Sequence, residues 1–321
     1  MRTWHRFLSH WQNWLGLLLV ALFVFVSLAA PVLSPQDPEK PGPVMFVGRT
    51  SDTLPKPPSQ DAPLGTLPGQ ISVYHSLVWG TRSALIFGLA VAALTAMFGV
   101  LIGTISAYFG GFLNNFLMRI TDAFLAFPVI AGVVLIRQLL SIALANAGAY
   151  LSWAGIPNSL TLYVQIPEEL PFWLDLLNKL NPVLIAFILF SWMPYARIMN
   201  TVVLRIKQTQ YIQAARALGA GHSTIIFRHL IPNSITPVIV LAARDVGGMV
   251  LLQATFTFIG LGGESLWGNL LVWGRDYIIT PGGLLTYWWV FLPTTLVLVL
   301  FGIGWNLLGD GLNDLLNPRT R

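Results

Sequence analysis

The sequence predicts an all-α, polytopic membrane protein with about six transmembrane helices. Three observations carry that expectation. Charged residues make up 10% of the 321 residues and hydrophobic ones 55%, where a soluble domain carries about 25% charged side chains. The mean hydropathy is +0.68. The apolar residues are also gathered into runs of roughly 20, the length that crosses a bilayer core as a helix.

The first run, near 15–33, follows Arg2, His5 and Arg6. A cleaved signal peptide is one reading, because Ser27 and Ala29 offer small residues for cleavage. The length of the run favours a retained anchor helix over 1–33. Residues 34–82 hold Pro35, Pro38, Pro41, Pro43, Pro55, Pro57, Pro58, Pro63 and Pro68. Proline fixes φ and lacks a backbone donor, so this stretch is expected to be an external loop rather than a span. Residues 83–321 then form a core of five spans, near 83–108, 123–147, 182–203, 235–259 and 287–308. Residues 149–180, with Trp153, Trp173, Glu168 and Glu169, read as an external insertion containing a short helix near 172–180.

Orientation follows from the basic residues. The segment 204–234 carries Arg205, Lys207, Arg216 and Arg228 and no acid, and short cytoplasmic loops hold the positive excess. Both termini are therefore expected on the cytoplasmic side. The pI near 9.7 has the same origin. With a net charge of +5 and no basic run, nucleic-acid binding is not expected.

Charges inside the spans are the first candidates for function. Arg137, Arg244 and Asp245 interrupt apolar runs, and an intramembrane charge normally faces the bundle interior with a partner. Neighbours in sequence point about 100° apart on a helix, so Arg244 and Asp245 do not satisfy only each other. Either they line a substrate path, or they form structural ion pairs, Asp245 with Arg137 being one possibility. Arg197, near the inner end of its span, reads as an interface residue whose head snorkels to water. Gly99-Val-Leu-Ile-Gly103 and Gly247-Gly248 read as close helix packing. Many of the 12 tryptophans lie near span ends, as interface anchors.

Enzyme chemistry is poorly represented. There is no cysteine, hence no disulfide, thiolate metal site or cysteine nucleophile. Lys40, Lys56, Lys179 and Lys207 all lack the preceding Walker glycines, so the chain is not itself an ATPase. No His-Glu-x-x-His zinc motif occurs, and no metal site is expected. Gly263-Glu-Ser-Leu-Trp267 fails the nucleophile-elbow pattern at its last position. An ion-gradient-driven secondary transporter remains a second class of reading, with Asp245 as its one possible carboxylate relay, although no inverted repeat is visible.

The most informative segment is Tyr211-Ile-Gln-Ala-Ala-Arg-Ala-Leu-Gly-Ala-Gly-His-Ser-Thr-Ile-Ile-Phe-Arg-His-Leu-Ile-Pro-Asn233. Residues 205–218 are good helix formers, and Gly219 to Gly221 supplies a left-handed termination. A second helix is expected from Ser223 to Leu230, stopped by Pro232. Ala214, Ala215 and Ala217 leave a small-residue surface that another protein can approach. An ordinary amphipathic linker is the plainer reading of the same residues.

Gln213-Ala214-Ala215, Gly219 and Leu230-Ile231-Pro232 resemble the signature loop of permease subunits in binding-protein-dependent ABC transporters, with Gln213 in place of the family's glutamate. The resemblance extends over 64–321 and is similar to the second, C-type permease of the dipeptide, oligopeptide and nickel group. It runs through Leu77-Val-Trp-Gly-Thr-Arg-Ser-Ala-Leu85, Ala107-Tyr-Phe-Gly-Gly111, Met118-Arg-Ile-Thr-Asp122, Ala126-Phe-Pro128, Phe256-Thr-Phe-Ile-Gly-Leu-Gly262, Trp267-Gly-Asn269, Gly274-Arg-Asp276 and Asn306-Leu-Leu-Gly-Asp-Gly311. Leu67-Pro-Gly-Gln-Ile71 departs from it, as does the insertion at 149–180. The resemblance implies the type I ABC importer permease fold in the inner membrane. It implies a second permease subunit, two cytoplasmic ATPase subunits docked on the 204–234 loop, and an external substrate-binding protein. ATP and Mg would be bound by the ATPase partners and no cofactor by this chain. Gln213, Ala214, Ala215, Gly219, Ile231 and Pro232 would form the docking loop. The implied cargo is peptide, with nickel or another small solute as the alternative.

Overall fold

The computed structural model describes residues 10–38, 40–146, 182–279 and 285–316. The expected insertion at 149–180, its short helix, and the terminal arginines Arg2, Arg6, Arg319 and Arg321 lie outside the described residues. Helices dominate. They are α1 (Trp11–Leu33), α2 (Val73–Phe109), α3 (Gly111–Leu125), α4 (Val129–Asn146), α5 (Pro182–Ser191), α6 (Met193–Ile206), α7 (Gln210–Ala217), α8 (His222–Thr224), α9 (Ile231–Ser234), α10 (Thr236–Phe258), α11 (Leu266–Gly274) and α12 (Trp288–Leu316). Among the described residues, five stretches are long and apolar enough to cross a membrane: α1, α2, α5 with α6, α10 and α12. The bent pair α3 and α4 makes a sixth if it is counted as one span.

Two expected boundaries are corrected. The second span does not begin at 83: α2 starts at Val73, and its 37 residues extend for about 55 Å, well beyond the hydrocarbon core. The last proline of the preceding loop is Pro68, so nothing after it forbids a helix. The third span is not one helix over 123–147. The chain turns by 90° between α3 and α4, at Ala126-Phe-Pro128. Pro128 lacks the N–H that would continue α3, and its ring would meet a carbonyl of the preceding turn. A further helix, α11, stands between the spans expected near 235–259 and 287–308. It is opened by Ser265, whose hydroxyl accepts from the Gly268 N–H at 3.2 Å.

The chain forms two compact units, Met1–Ala90 with Ala243–Arg321, and Val91–Ala242. In the first, α1 lies along α12. The approach is close because Gly16 faces the backbone of Leu307 and Leu308, and Gly304 faces Leu19. Phe23 meets Phe301 edge-on at 5.0 Å. The end of α1 is tied to the start of α2. Trp79 donates to Ser34 O at 3.0 Å and Tyr74 to Leu33 O at 3.0 Å, while His75 bridges the Ser34 hydroxyl and Gly42 O. The proline-rich segment is likewise folded. Its short hairpin pairs β1 (Thr66–Leu67) antiparallel with β2 (Ile71–Ser72). Gln70, at φ 58, is buried there and donates to Leu54 O at 3.0 Å.

In the second unit, Gly99 and Gly103 of α2 face the backbone of Trp192 and Ala196 around the start of α6. Buried Asn200 of α6 donates to Ser106 Oγ at 2.8 Å and to Asn114 Oδ1 at 2.6 Å, joining α2, α6 and α3. The Gly-x-x-x-Gly spacing thus marks helix packing, as expected.

Candidate functional site

The segment between the α6 and α10 spans forms a folded platform on the second unit. It opens with α7, whose Ile212 is fully buried. The chain then reverses at Gly219, where φ is +83, the left-handed termination expected of that glycine. A Cβ there would meet no atom within 4 Å, so the backbone conformation alone calls for glycine. Gly221 is different. It takes φ −67 ahead of α8 and carries no such requirement.

The second half departs from expectation. Pro232 does not stop a helix at Leu230. From Ile225 to Leu230 the helix widens to a π-type turn, in which the Ile231 N–H donates to Ile226 O five residues back, and α9 follows directly with Pro232 in its first turn. The wider register accommodates a residue that has no N–H to give and a ring that would crowd a normal turn.

Ile212, Ile225, Ile226 and Leu230 pack into one cluster with Val100, Ala107 and Tyr108 of α2, Tyr195, Met199 and Val203 of α6, and Val238 of α10. The opposite face is open. Tyr211, Leu218 and Phe227 are exposed, Leu218 by 89% and Phe227 by 59%. Burying these apolar side chains seats the platform on α2, α6 and α10, while the exposed face mixes Tyr211, Leu218 and Phe227 with Gln213, Arg216 and Arg228.

The candidate docking residues divide accordingly. Gln213 is exposed, and its amide donates to Gln208 O at 3.1 Å. Ala214 is exposed and Ala215 partly so. Ile231 is half-buried against the cluster, and Pro232 is exposed. These six share one platform. Arg244 and Asp245 do not belong to it, lying in α10 within the other unit, and Arg137 is half-buried in α4.

Arg244 has a partner that sequence reasoning did not supply. Its guanidinium is ion-paired with Asp310 of α12. Asp310 was expected in the terminal segment beyond the last span, but α12 continues to Leu316. Gly247, about one turn further along α10, faces Gly302 and Trp305 of α12, and Arg244 and Asp310 continue that helix contact in the opposite direction along each chain segment. Arg197 is similarly corrected. Instead of simply snorkelling, it is ion-paired with Asp122 of α3.

Comparison with known proteins gives the arrangement its family. The family described as binding-protein-dependent transport system inner membrane component matches residues 99–321. The chain belongs to that family. The N-terminal transmembrane domain of oligopeptide transport permease C matches residues 1–57 of the permease. An oligopeptide transport system permease protein of Bacillus subtilis is 28% identical over 98% of this permease and 88% of the relative. A glutathione transport system permease protein of Pectobacterium atrosepticum is 28% identical over 99% and 90%. A protein of Escherichia coli named as a probable D,D-dipeptide transport system permease is 28% identical over 94% and 86%. The helical architecture and the family together give the permease fold expected from the sequence.

Proposed function

We propose that this permease is one of two transmembrane subunits of an ATP-driven importer of peptides in the inner membrane. The observation that carries the proposal is the 204–234 platform, which is seated on spanning helices through a buried apolar cluster and on its open face exposes Tyr211, Leu218 and Phe227 among Gln213, Arg216 and Arg228. Cytoplasmic ATPase subunits, holding ATP and Mg, dock on that face around Gln213, Ala214, Ala215, Gly219, Ile231 and Pro232. An external binding protein delivers the substrate. Closure of the ATPase pair moves the platforms and tilts the spans between inward and outward access, a rigid-body transition. Both termini and the platform lie in the cytoplasm, in agreement with the basic residues of 204–234. The names of the relatives, which concern oligopeptides, glutathione and D,D-dipeptides, support peptide as the cargo class. Arg137, Arg244 and Asp245 are the substrate-path candidates, and a peptide with charged termini suits them.

The absence of native cysteine makes the docking claim directly testable. Leu218→Cys, in membranes holding the complete transporter, is expected to react with an impermeant maleimide only from the cytoplasmic side, and to be protected when the ATPase subunits are bound. The purified assembly is expected to raise its ATP hydrolysis when peptide-loaded binding protein is added. Labelling from the outside, or no protection by the ATPase, would end this reading.

Gly219→Val tests the turn itself. A β-branched residue held at positive φ costs about 1–2 kcal/mol, and relief of that strain re-aims α8 relative to α7. The expected result is an assembled transporter whose ATP hydrolysis no longer responds to substrate. A normal response would show that the turn has no mechanical part.

A further inference from the structure

At the end of α2, one side chain touches the platform on both sides of its turn. Tyr108, buried in the last turn of α2, has its hydroxyl 2.6 Å from His222 Nδ1. The two rings meet edge-on with centroids 5.6 Å apart. The Arg216 guanidinium lies over the same tyrosine ring, 5.0 Å from its centroid. Arg216 is in the last turn of α7 and His222 opens α8, so Tyr108 touches the platform on both sides of the Gly219 turn. Beside it, Lys207 donates to Ala107 O at 2.6 Å. That cation satisfies a carbonyl at the C-terminus of α2, the negative end of the helix dipole.

We infer that Tyr108 is a positioning residue for energy coupling, the fulcrum through which displacement of the ATPase-docking platform is passed to the spanning helix α2. This rests on the reading of 204–234 as the docking surface. A hydrophobic seat alone would let the platform slide, because dispersion contacts have little direction. A short hydrogen bond and a cation seated over a ring fix direction as well as distance. Since the two contacts come from opposite sides of a glycine turn, tilting α7 against α8 changes one relative to the other. The pair is bonded in either neutral tautomer. With the imidazole proton on Nε2 the tyrosine hydroxyl donates to Nδ1, and with it on Nδ1 the hydroxyl accepts.

The test uses the complete transporter in liposomes, with peptide-loaded binding protein as the stimulus. Its readouts are ATPase co-purification, melting temperature, and the ratio of stimulated to unstimulated ATP hydrolysis. Tyr108→Phe keeps the ring beneath Arg216 and removes only the hydroxyl. The expected result is full assembly, an unchanged melting temperature and a stimulation ratio reduced on the order of fivefold, the scale of one hydrogen bond. His222→Leu should reduce the ratio to the same degree. The Tyr108→Phe, His222→Leu double variant should be no worse than either single one, because both remove one bond. His222→Asn, which can place a polar atom where Nδ1 stands, should restore at least half of the wild-type ratio. An unchanged ratio in Tyr108→Phe overturns the inference. So does a multiplicative loss in the double variant, or a loss that appears only together with lowered assembly or melting temperature. Failure of the unmutated chain to retain the ATPase would instead overturn the docking reading, and is seen before any variant is made.

Discussion

Gly103→Val is expected to prevent the permease from accumulating in the membrane as a folded protein. A Cβ at Gly103 would stand 2.3 Å from Ala196 O and 2.9 Å from Met199 Cβ, and one at the neighbouring Gly99 would stand 2.4 Å from Tyr195 Cβ and 2.6 Å from Trp192 O. The obstructing atoms are largely backbone, so no side-chain rotation relieves them. Helix α6 would have to retreat, carrying with it Tyr195, Ala196 and Met199, all fully buried. Overpacking in soluble cores costs about 1–3 kcal/mol and occasionally more. Here the loss includes the contact that holds two spans together, in a solvent where close packing, not hydrophobicity, drives helix association. Membrane yield and detergent melting temperature measure the effect. Gly248→Ala is the control, since nothing lies within 4 Å of its added Cβ, and helix propensity favours alanine by about 1 kcal/mol. If Gly103→Val melted like the parent while Gly248→Ala fell, the packing account would be wrong.

Removing either partner of the Arg244 and Asp310 pair is expected to give the second large effect. The side chains are 44% and 54% exposed on the chain. In water a pair so exposed would be worth roughly 0–1 kcal/mol. Inside a span, an uncompensated charge costs about 2.5–3.5 kcal/mol on insertion scales. Asp310→Asn therefore harms mainly by leaving Arg244 alone, and Arg244→Gln by leaving Asp310. Each single variant should lose yield and thermal stability, and the double variant should recover most of both. Additive losses would exclude the pairing. Transport distinguishes a second role. If Arg244 also meets the substrate, the double variant regains stability and still transports poorly, whereas a purely structural pair regains both.

These residues also show how far a sequence can be read. The membrane class, the spans of α1, α10 and α12 to within a few residues except at the C-terminal end of α12, the turn at Gly219 and the family follow from local sequence. Each depends on properties summed over a window or imposed by one residue on its own backbone. A run of apolar side chains must leave water wherever it packs, and a helix end needing positive φ calls for glycine. The bend at Pro128 was also written locally, in a proline, but an apolar count across 123–147 averages over it.

Tertiary structure decided the rest. Tyr108 looks like one aromatic residue near a span end among many, until chain reversal at Gly219 brings His222, 114 residues away, onto its hydroxyl. Asp310 looks like a tail acid until α12 is seen to continue past it and to set it beside Arg244, 66 residues away. Asp122 and Arg197, 75 residues apart, are a third instance. Hydropathy assigns each charged residue a cost but no partner. Partners depend on the rotation and depth of neighbouring helices, and these are set by close packing at positions such as Gly99, Gly103 and Gly304. A sequence thus records which groups need satisfying, while three-dimensional packing decides what satisfies them.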